Sequence, residues 1–215
     1  MAANRNSSES NRNSNLKGVA MKAPVTYDAS FVANPDALFT TLWNELEWER
    51  RADAPRREYY CNDVDVPYAY GTGSYVREYL PRPMHPALLP IKAAVEARIG
   101  SPMEVCFLNG YEDARDQLGW HADDSDSMRD DLPIAIVTVG ARREIMFRPN
   151  INTLEIERLW LDNGSLCLMA AGMQDAWQHK IPKAGFACGP RISMTFRGLM
   201  LAGKGMTKLS AAAVA

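Results

Sequence analysis

His121-Ala122-Asp123 sets an imidazole and a carboxylate two residues apart, and a second imidazole follows in Trp177-Gln178-His179-Lys180. On an extended segment residues two apart point to the same side, so His121 and Asp123 can bind one metal jointly. Two imidazoles and one carboxylate on a single face of a metal, with the other positions open, form the ligand set of a mononuclear non-haem Fe(II) site. Taken alone, the triplet also fits a polar loop, and a histidine after Gln178 also fits a surface position. A second feature adds weight: Arg191-Ile192-Ser193-Met194-Thr195-Phe196-Arg197, a strand-like run with an arginine at each end.

A period of two places Arg191, Ser193, Thr195 and Arg197 on one face and Ile192, Met194 and Phe196 on the other. The arginine backbones then stand ~20 Å apart, too far to clamp one carboxylate together. Two long side chains converging on opposite ends of a small dicarboxylate would fit, because guanidinium meets carboxylate in a planar fork. The rival arrangement is an edge strand with solvent-facing arginines. Asn109-Gly110-Tyr111 places an amide and a phenol on one face a few residues before His121, offering two hydrogen-bond donors to the same ligand.

These residues need elements to hold them. Asn34-Pro35 reads as a helix start, followed by Leu38, Phe39, Leu42, Trp43 and Leu46 at helical spacing. A second helix is expected over His85 to Ile99, stopping at Gly100. From Val105 the period changes to two, with strands expected at Val105–Tyr111, Ile134–Val139, Glu144–Phe147, Leu154–Leu161, Ser165–Met169 and Arg191–Leu199. Asp162-Asn163-Gly164 predicts a hairpin turn between two of them. Many short strands suggest a sandwich or jelly roll, with the two helices packed outside it. Residues 1–16, rich in Asn, Ser and Arg, and residues 203–215 read as flexible tails around a single domain over 17–202.

Bulk properties narrow the class. The chain has 215 residues, 47% hydrophobic and 23% charged, which is ordinary for one globular domain. No apolar run approaches the ~18 residues that span a bilayer, so no membrane partner is expected. A net charge of −2 provides no global field for nucleic acid. Arginines are grouped locally at Arg50, Arg51, Arg56 and Arg57 and again at Arg142, Arg143 and Arg148; charge alone favours solvated faces balanced by Glu45, Glu47, Glu49 and Asp53. The four scattered cysteines lack a CxxC pair, which predicts reduced thiols in a cytoplasmic, nuclear or organellar compartment. The acidic run Asp123–Asp131 lacks the central Gly and terminal Glu of a calcium loop and reads as a solvated loop.

The ordered set N-x-Y, H-x-D, a distant H and R-x-x-x-T-F-R resembles the AlkB family of Fe(II)/2-oxoglutarate dioxygenases, in particular its nucleic-acid alkylation-repair members. The likeness runs from about Pro55 to Arg197. It includes Pro55-Arg56, Pro67-Tyr68-Ala69-Tyr70, Trp120-His121-Ala122-Asp123-Asp124, Trp177-Gln178-His179-Lys180-Ile181-Pro182 and Pro190-Arg191. It implies a double-stranded β-helix (jelly-roll) core over 105–199, preceded by a nucleotide-recognition lid over 55–80.

The resemblance implies His121, Asp123 and His179 as iron ligands. It implies Arg191 and Tyr111 at the distal carboxylate of 2-oxoglutarate, Arg197 and Asn109 nearer the chelating end, and Ser193 where many relatives carry Asn. Tyr60 would stack on a flipped base and Tyr68 would approach a phosphate; Arg56 is a further substrate contact. Two residues after Asp123, where DNA-repair relatives carry an acid near the target base, stands Ser125, with Asp124 and Asp126 beside it. The implied activity is demethylation of 1-methyladenine- or 3-methylcytosine-type bases in DNA or RNA, by a monomer using Fe(II), 2-oxoglutarate and O2 and releasing formaldehyde, succinate and CO2. A hydroxylase of a protein side chain or small metabolite, and a non-catalytic β-sandwich binding module, are the alternatives.

Overall fold

The computed structural model describes residues 21–52, 54–70 and 76–200. The two expected tails and Asp53 lie outside them. Strands β1 (Val25–Asp28), β2 (Arg57–Asn62), β5 (Val105–Tyr111), β7 (Ile134–Gly140), β10 (Leu166–Met169) and β12 (Arg191–Arg197) form a six-stranded sheet in the order β1-β10-β7-β12-β5-β2. Strands β6 (Leu118–His121), β8 (Arg143–Pro149), β9 (Glu157–Leu161) and β11 (Trp177–Ile181) form a second sheet in the order β6-β11-β8-β9. A small hairpin pairs β3 (Tyr68–Tyr70) with β4 (Arg77–Tyr79). The architecture is the expected jelly-roll core with flanking helices.

The helices α1 (Pro35–Glu45) and α2 (Leu89–Ile99) cover one face of the larger sheet, where Leu42, Leu46, Leu88 and Val95 pack with Leu108, Val137, Ile192, Met194 and Phe196. Its other face meets the second sheet through Tyr111, Ile134, Ile136, Ile145, Phe147 and Ile181. Strand β7 is apolar almost throughout because it is covered on both sides. Gly100 ends α2 at φ +78, as its position after the last helical residue predicts. Asn34 precedes α1, but its side chain makes no capping bond, and Pro35 supplies the preset first turn. The expected second helix is split: Pro86–Leu88 forms a 3-10 turn capped by His85, and α2 begins at Leu89.

Three expectations need correction. Asp162-Asn163-Gly164 does turn the chain, with Gly164 at φ +86, but it makes no hairpin, because β9 pairs with β8 whereas β10 pairs with β7 and β1. The turn is a crossover from one sheet to the other. The expected strand at Leu154 starts only at Glu157, leaving Leu154 90% exposed. The arginine groups are not simply solvated faces: Arg56 and Arg143 are buried at 8% and 1% exposure. Arg143 donates to the carbonyls of Asp113, Asp116 and Pro182, which repays its desolvation without a carboxylate. Arg50 and Arg57 both pair with Glu112. Among the described residues no helix is long and apolar enough to cross a membrane.

Gly140 closes β7 at φ +89, where a Cβ would lie 2.6 Å from the Pro190 carbonyl oxygen and 2.9 Å from the Phe39 ring. Both the backbone angle and the space demand glycine. Gly140→Ala should cost roughly 1–3 kcal/mol of stability, read as a lowered urea midpoint. An unchanged midpoint would contradict the crowding at Pro190, the residue that leads into β12.

Candidate metal and co-substrate site

His121 ends β6 and His179 sits in the middle of β11, and the two are direct cross-strand partners. Their rings lie 4.2 Å apart between centroids. Asp123 follows just beyond β6, and its two carboxylate oxygens stand 3.7 Å from His121 Nε2 and 3.7 Å from His179 Nε2. One ligand atom from each of the three residues falls within a 4.8 Å cluster. Strand pairing thus converts two histidines far apart in sequence into neighbours.

The surroundings prepare these atoms for a cation. His121 Nδ1 donates to the Gly119 carbonyl at 2.8 Å, which leaves the Nε2 lone pair facing Asp123. The backbone N–H of Asp123 donates to Gln174 Oε1 at 2.9 Å, and Arg197 Nη2 donates to the Asp123 carbonyl. Burial alone would raise the Asp123 carboxyl, but nearby charges led by the Arg197 guanidinium outweigh it and hold the group below its ordinary value. Burial, with His121 alongside, pulls the His179 imidazole from 6.5 down to about 3, so the ligating nitrogen stays unprotonated. Imidazole nitrogens together with an ionised carboxylate suit Fe(II).

The triad opens onto a cavity lined by residues of both sheets and of the β3–β4 hairpin. Strands β5 and β12 build one wall, and their register places Arg191 opposite Tyr111 and Ser193 opposite Asn109. The two sequence motifs are therefore cross-strand partners. Tyr111, Asn109, Ser193, Thr195 and Arg197 line the cavity. Arg191 stands behind Tyr111, its guanidinium 5.0 Å from the ring centroid, and donates to Thr138 Oγ1 at 2.9 Å. Because β12 is a central strand, its arginines point inward, and the solvent-facing edge arrangement does not apply.

This wall holds unspent donors. Arg191 Nε and Nη1, Arg197 Nε and the Tyr111 hydroxyl are buried without a hydrogen-bond partner among the described residues. Burial lowers the Arg191 guanidinium to about 10, which still leaves it charged at neutral pH. Buried polar groups are normally satisfied, so unspent donors on Tyr111 and Arg197 at the cavity, with Arg191 behind Tyr111, fit a dicarboxylate such as 2-oxoglutarate.

The remaining expected residues are distributed unevenly. Arg56, Tyr60 and Tyr68 line the cavity; Ser125 lies beside it, its Oγ sharing a 2.9 Å hydrogen bond with the Tyr68 hydroxyl. Asp124 is exposed and does not reach the cavity wall. Tyr60 is only 3% exposed and stacks on Tyr68 with ring centroids 5.5 Å apart. The Tyr68 hydroxyl also accepts from Arg197 Nη1 at 3.4 Å, so in this structure it faces inward. Residues 57–62, expected inside the lid, form β2 at the edge of the main sheet, whereas β3 and β4 pair as a separate hairpin whose Tyr68 and Tyr79 pack against Tyr60, Val105 and Met128. Sequence reasoning missed Thr138, Glu58, Tyr79 and Gln174, whose types carry no signal outside their contacts.

The His179 shift has a defined sign. The unfolded chain takes up this proton as pH falls below 6.5, whereas the metal-free folded chain resists it until about pH 3. The group's contribution to stability is complete above 6.5 and is lost progressively toward about 3. The urea midpoint of the metal-free protein should fall across that window, and less steeply for His179→Gln. Parallel curves for parent and variant would contradict this account.

Residues 34–197 match the 2OG-Fe(II) oxygenase superfamily. DNA oxidative demethylase ALKBH2 of Bos taurus is 29% identical over 199 residues, covering 84% of this chain and 70% of that protein. Alpha-ketoglutarate-dependent dioxygenase alkB homolog 3 of Bos taurus is 30% identical over 179 residues, covering 75% of this chain and 60% of that protein. A solved structure of OsALKBH1 superposes with a TM-score of 0.60 over 84% of this chain and 99% of that one, at 12% identity, which is likeness of fold. The chain belongs to the 2OG-Fe(II) oxygenase superfamily, on its AlkB branch, with Fe(II), 2-oxoglutarate and O2 as its cofactors.

Proposed function

We propose that this protein is an oxidative demethylase of alkylated nucleobases, of the 1-methyladenine and 3-methylcytosine type, acting as a monomer on DNA or RNA. The observation that carries the reading is the aromatic lining of the cavity above the His121–Asp123–His179 cluster. Tyr60, Tyr68, Tyr79 and Phe107 all face it, and Tyr79 meets Phe107 edge-on with centroids 5.0 Å apart. Flat apolar walls suit a flat heterocycle, and stacking a base on one aromatic ring is worth ~1–3 kcal/mol. Relatives named as a DNA oxidative demethylase support the same class of substrate.

The protein's own work is placement. His121, Asp123 and His179 would hold Fe(II). Arg191 and Tyr111 would receive the distal carboxylate of 2-oxoglutarate, while Asn109, Ser193 and Arg197 contact the remainder. Tyr60, on strand β2, and Tyr68, in the β3–β4 hairpin, would meet the base. When bound, the iron with 2-oxoglutarate and O2 supplies an oxidation that decarboxylates the co-substrate to succinate and CO2 and hydroxylates the methyl group, which leaves as formaldehyde. A base in a duplex must first leave the stack, which is least costly for damaged or single-stranded substrate. Ser125 holds Tyr68, where repair relatives are expected to carry an acid; this chain reads its base without a carboxylate at that position.

A phosphate-binding rim adjoins the site. Trp120, next to His121, lies under the Arg148 guanidinium at 4.3 Å and the Lys180 ammonium at 4.7 Å. Arg148→Ala with Lys180→Ala should weaken binding of a methylated oligonucleotide and reduce the slope of log affinity against log salt by about 1–2. An unchanged slope would remove this rim from the interface. For the activity itself, incubation with Fe(II), 2-oxoglutarate and single- and double-stranded DNA and RNA bearing these bases should show methyl loss by mass spectrometry, abolished in His179→Ala. No methyl loss alongside an active control enzyme, with succinate release stimulated instead by a peptide or metabolite, would overturn the substrate assignment.

A further inference from the structure

A buried polar chain runs from the cavity wall to the lid hairpin. Asn109 Oδ1 accepts a hydrogen bond from Arg56 Nε at 2.5 Å. Arg56 Nη2 pairs with Glu58 Oε1 at 2.9 Å, and the Tyr79 hydroxyl of β4 donates to Glu58 Oε2 at 3.0 Å. Arg56, Glu58 and Asn109 are 8%, 1% and 6% exposed, and Glu58 lies directly across from Asn109 in the β2–β5 pair. The outer face of Tyr79 is covered by the Arg51 guanidinium, 4.6 Å from its centroid.

An amide has one accepting end and one donating end. With a guanidinium N–H against the Asn109 oxygen, a flipped amide would set donor against donor in a buried space, so only one orientation is stable. That orientation leaves Nδ2 as the group available to the cavity that Asn109 lines. Glu58 in turn neutralises Arg56, which would otherwise be a bare buried charge. We propose that Arg56 and Glu58 are positioning residues that lock the Asn109 amide with its NH2 toward the 2-oxoglutarate carboxylate, and that Tyr79 extends this lock to the lid hairpin. Arg56 then serves the co-substrate wall and is not a contact to nucleic acid. The proposal rests on the reading of Asn109 as a 2-oxoglutarate ligand. Lid placement and co-substrate affinity are thereby coupled through four side chains.

The test is a set of double-mutant cycles on the Mn(II)-loaded protein, where 2-oxoglutarate binding is measured by calorimetry without turnover. Asn109→Ala should weaken 2-oxoglutarate binding roughly tenfold, the loss of a charge-assisted hydrogen bond. Arg56→Lys and Glu58→Gln should each weaken it roughly three- to tenfold with Mn(II) affinity unchanged, and neither should add a further loss in the Asn109→Ala background. Equal losses in both backgrounds would show that the pair does not act through Asn109 and would overturn the proposal. If Asn109→Ala leaves affinity unchanged, the assignment of that amide as a co-substrate ligand fails, and the proposal falls with it. Tyr79→Phe removes a single hydroxyl and keeps the ring packing; it should weaken 2-oxoglutarate about twofold, an effect erased by Asn109→Ala. A lower melting temperature with unchanged affinity for all three positioning variants would mark the chain as structural only and overturn the proposal.

Discussion

Strand β12 lies at the centre of the larger sheet, hydrogen-bonded on both edges to β5 and β7, and its alternation divides the molecule. Ile192, Met194 and Phe196 face the helices and carry part of the main core, while Arg191, Ser193 and Arg197 face the space between the sheets. A one-residue slip would exchange those faces and drive two guanidiniums into the helix-covered core. Pairing on both edges makes that slip costly, so the hydrophobic packing of α1 and α2 also fixes the aim of the arginines. The cavity wall is the reverse side of the core.

The metal cluster depends on a second, smaller register. Strands β6 and β11 are only four and five residues long, yet their pairing sets His121 opposite His179. Short strands of that length have little stability of their own. Their ends are held by Arg143, which reaches the carbonyls of Asp113 and Asp116 ahead of β6 and of Pro182 just after β11. One buried guanidinium thus anchors the segments on which both imidazoles ride.

Much of this was legible in the sequence where periodicity was strong. Val105–Tyr111 shows as a strand at its observed limits, and the alternation of Arg191–Arg197 separates core from site correctly. Strands β6 and β11 escaped because Leu118–His121 and Trp177–Ile181 are brief and mix polar with apolar groups, so no period stands out. The Asp162-Asn163-Gly164 turn was visible, but turn chemistry does not say which sheet the next strand joins. Arg56 and Arg143 looked solvated because their neighbours in sequence are charged; the partners that permit burial are an amide, a carboxylate and three backbone carbonyls contributed from elsewhere. The first half of the expected lid is strand β2 because Tyr59 and Cys61 face the core that α2 covers, a contact that only the assembled sheet reveals.

Arg191 sits wholly buried with two guanidinium nitrogens unmatched beside an unmatched phenol. A cation desolvated without a counter-ion is a standing strain on the folded chain. A dicarboxylate that settles against it and cannot bind the unfolded chain stabilises the fold in proportion to the logarithm of its concentration above the dissociation constant. On the proposed reading of Arg191 as a co-substrate contact, the same arginine would let occupancy of the cavity raise the stability of the fold.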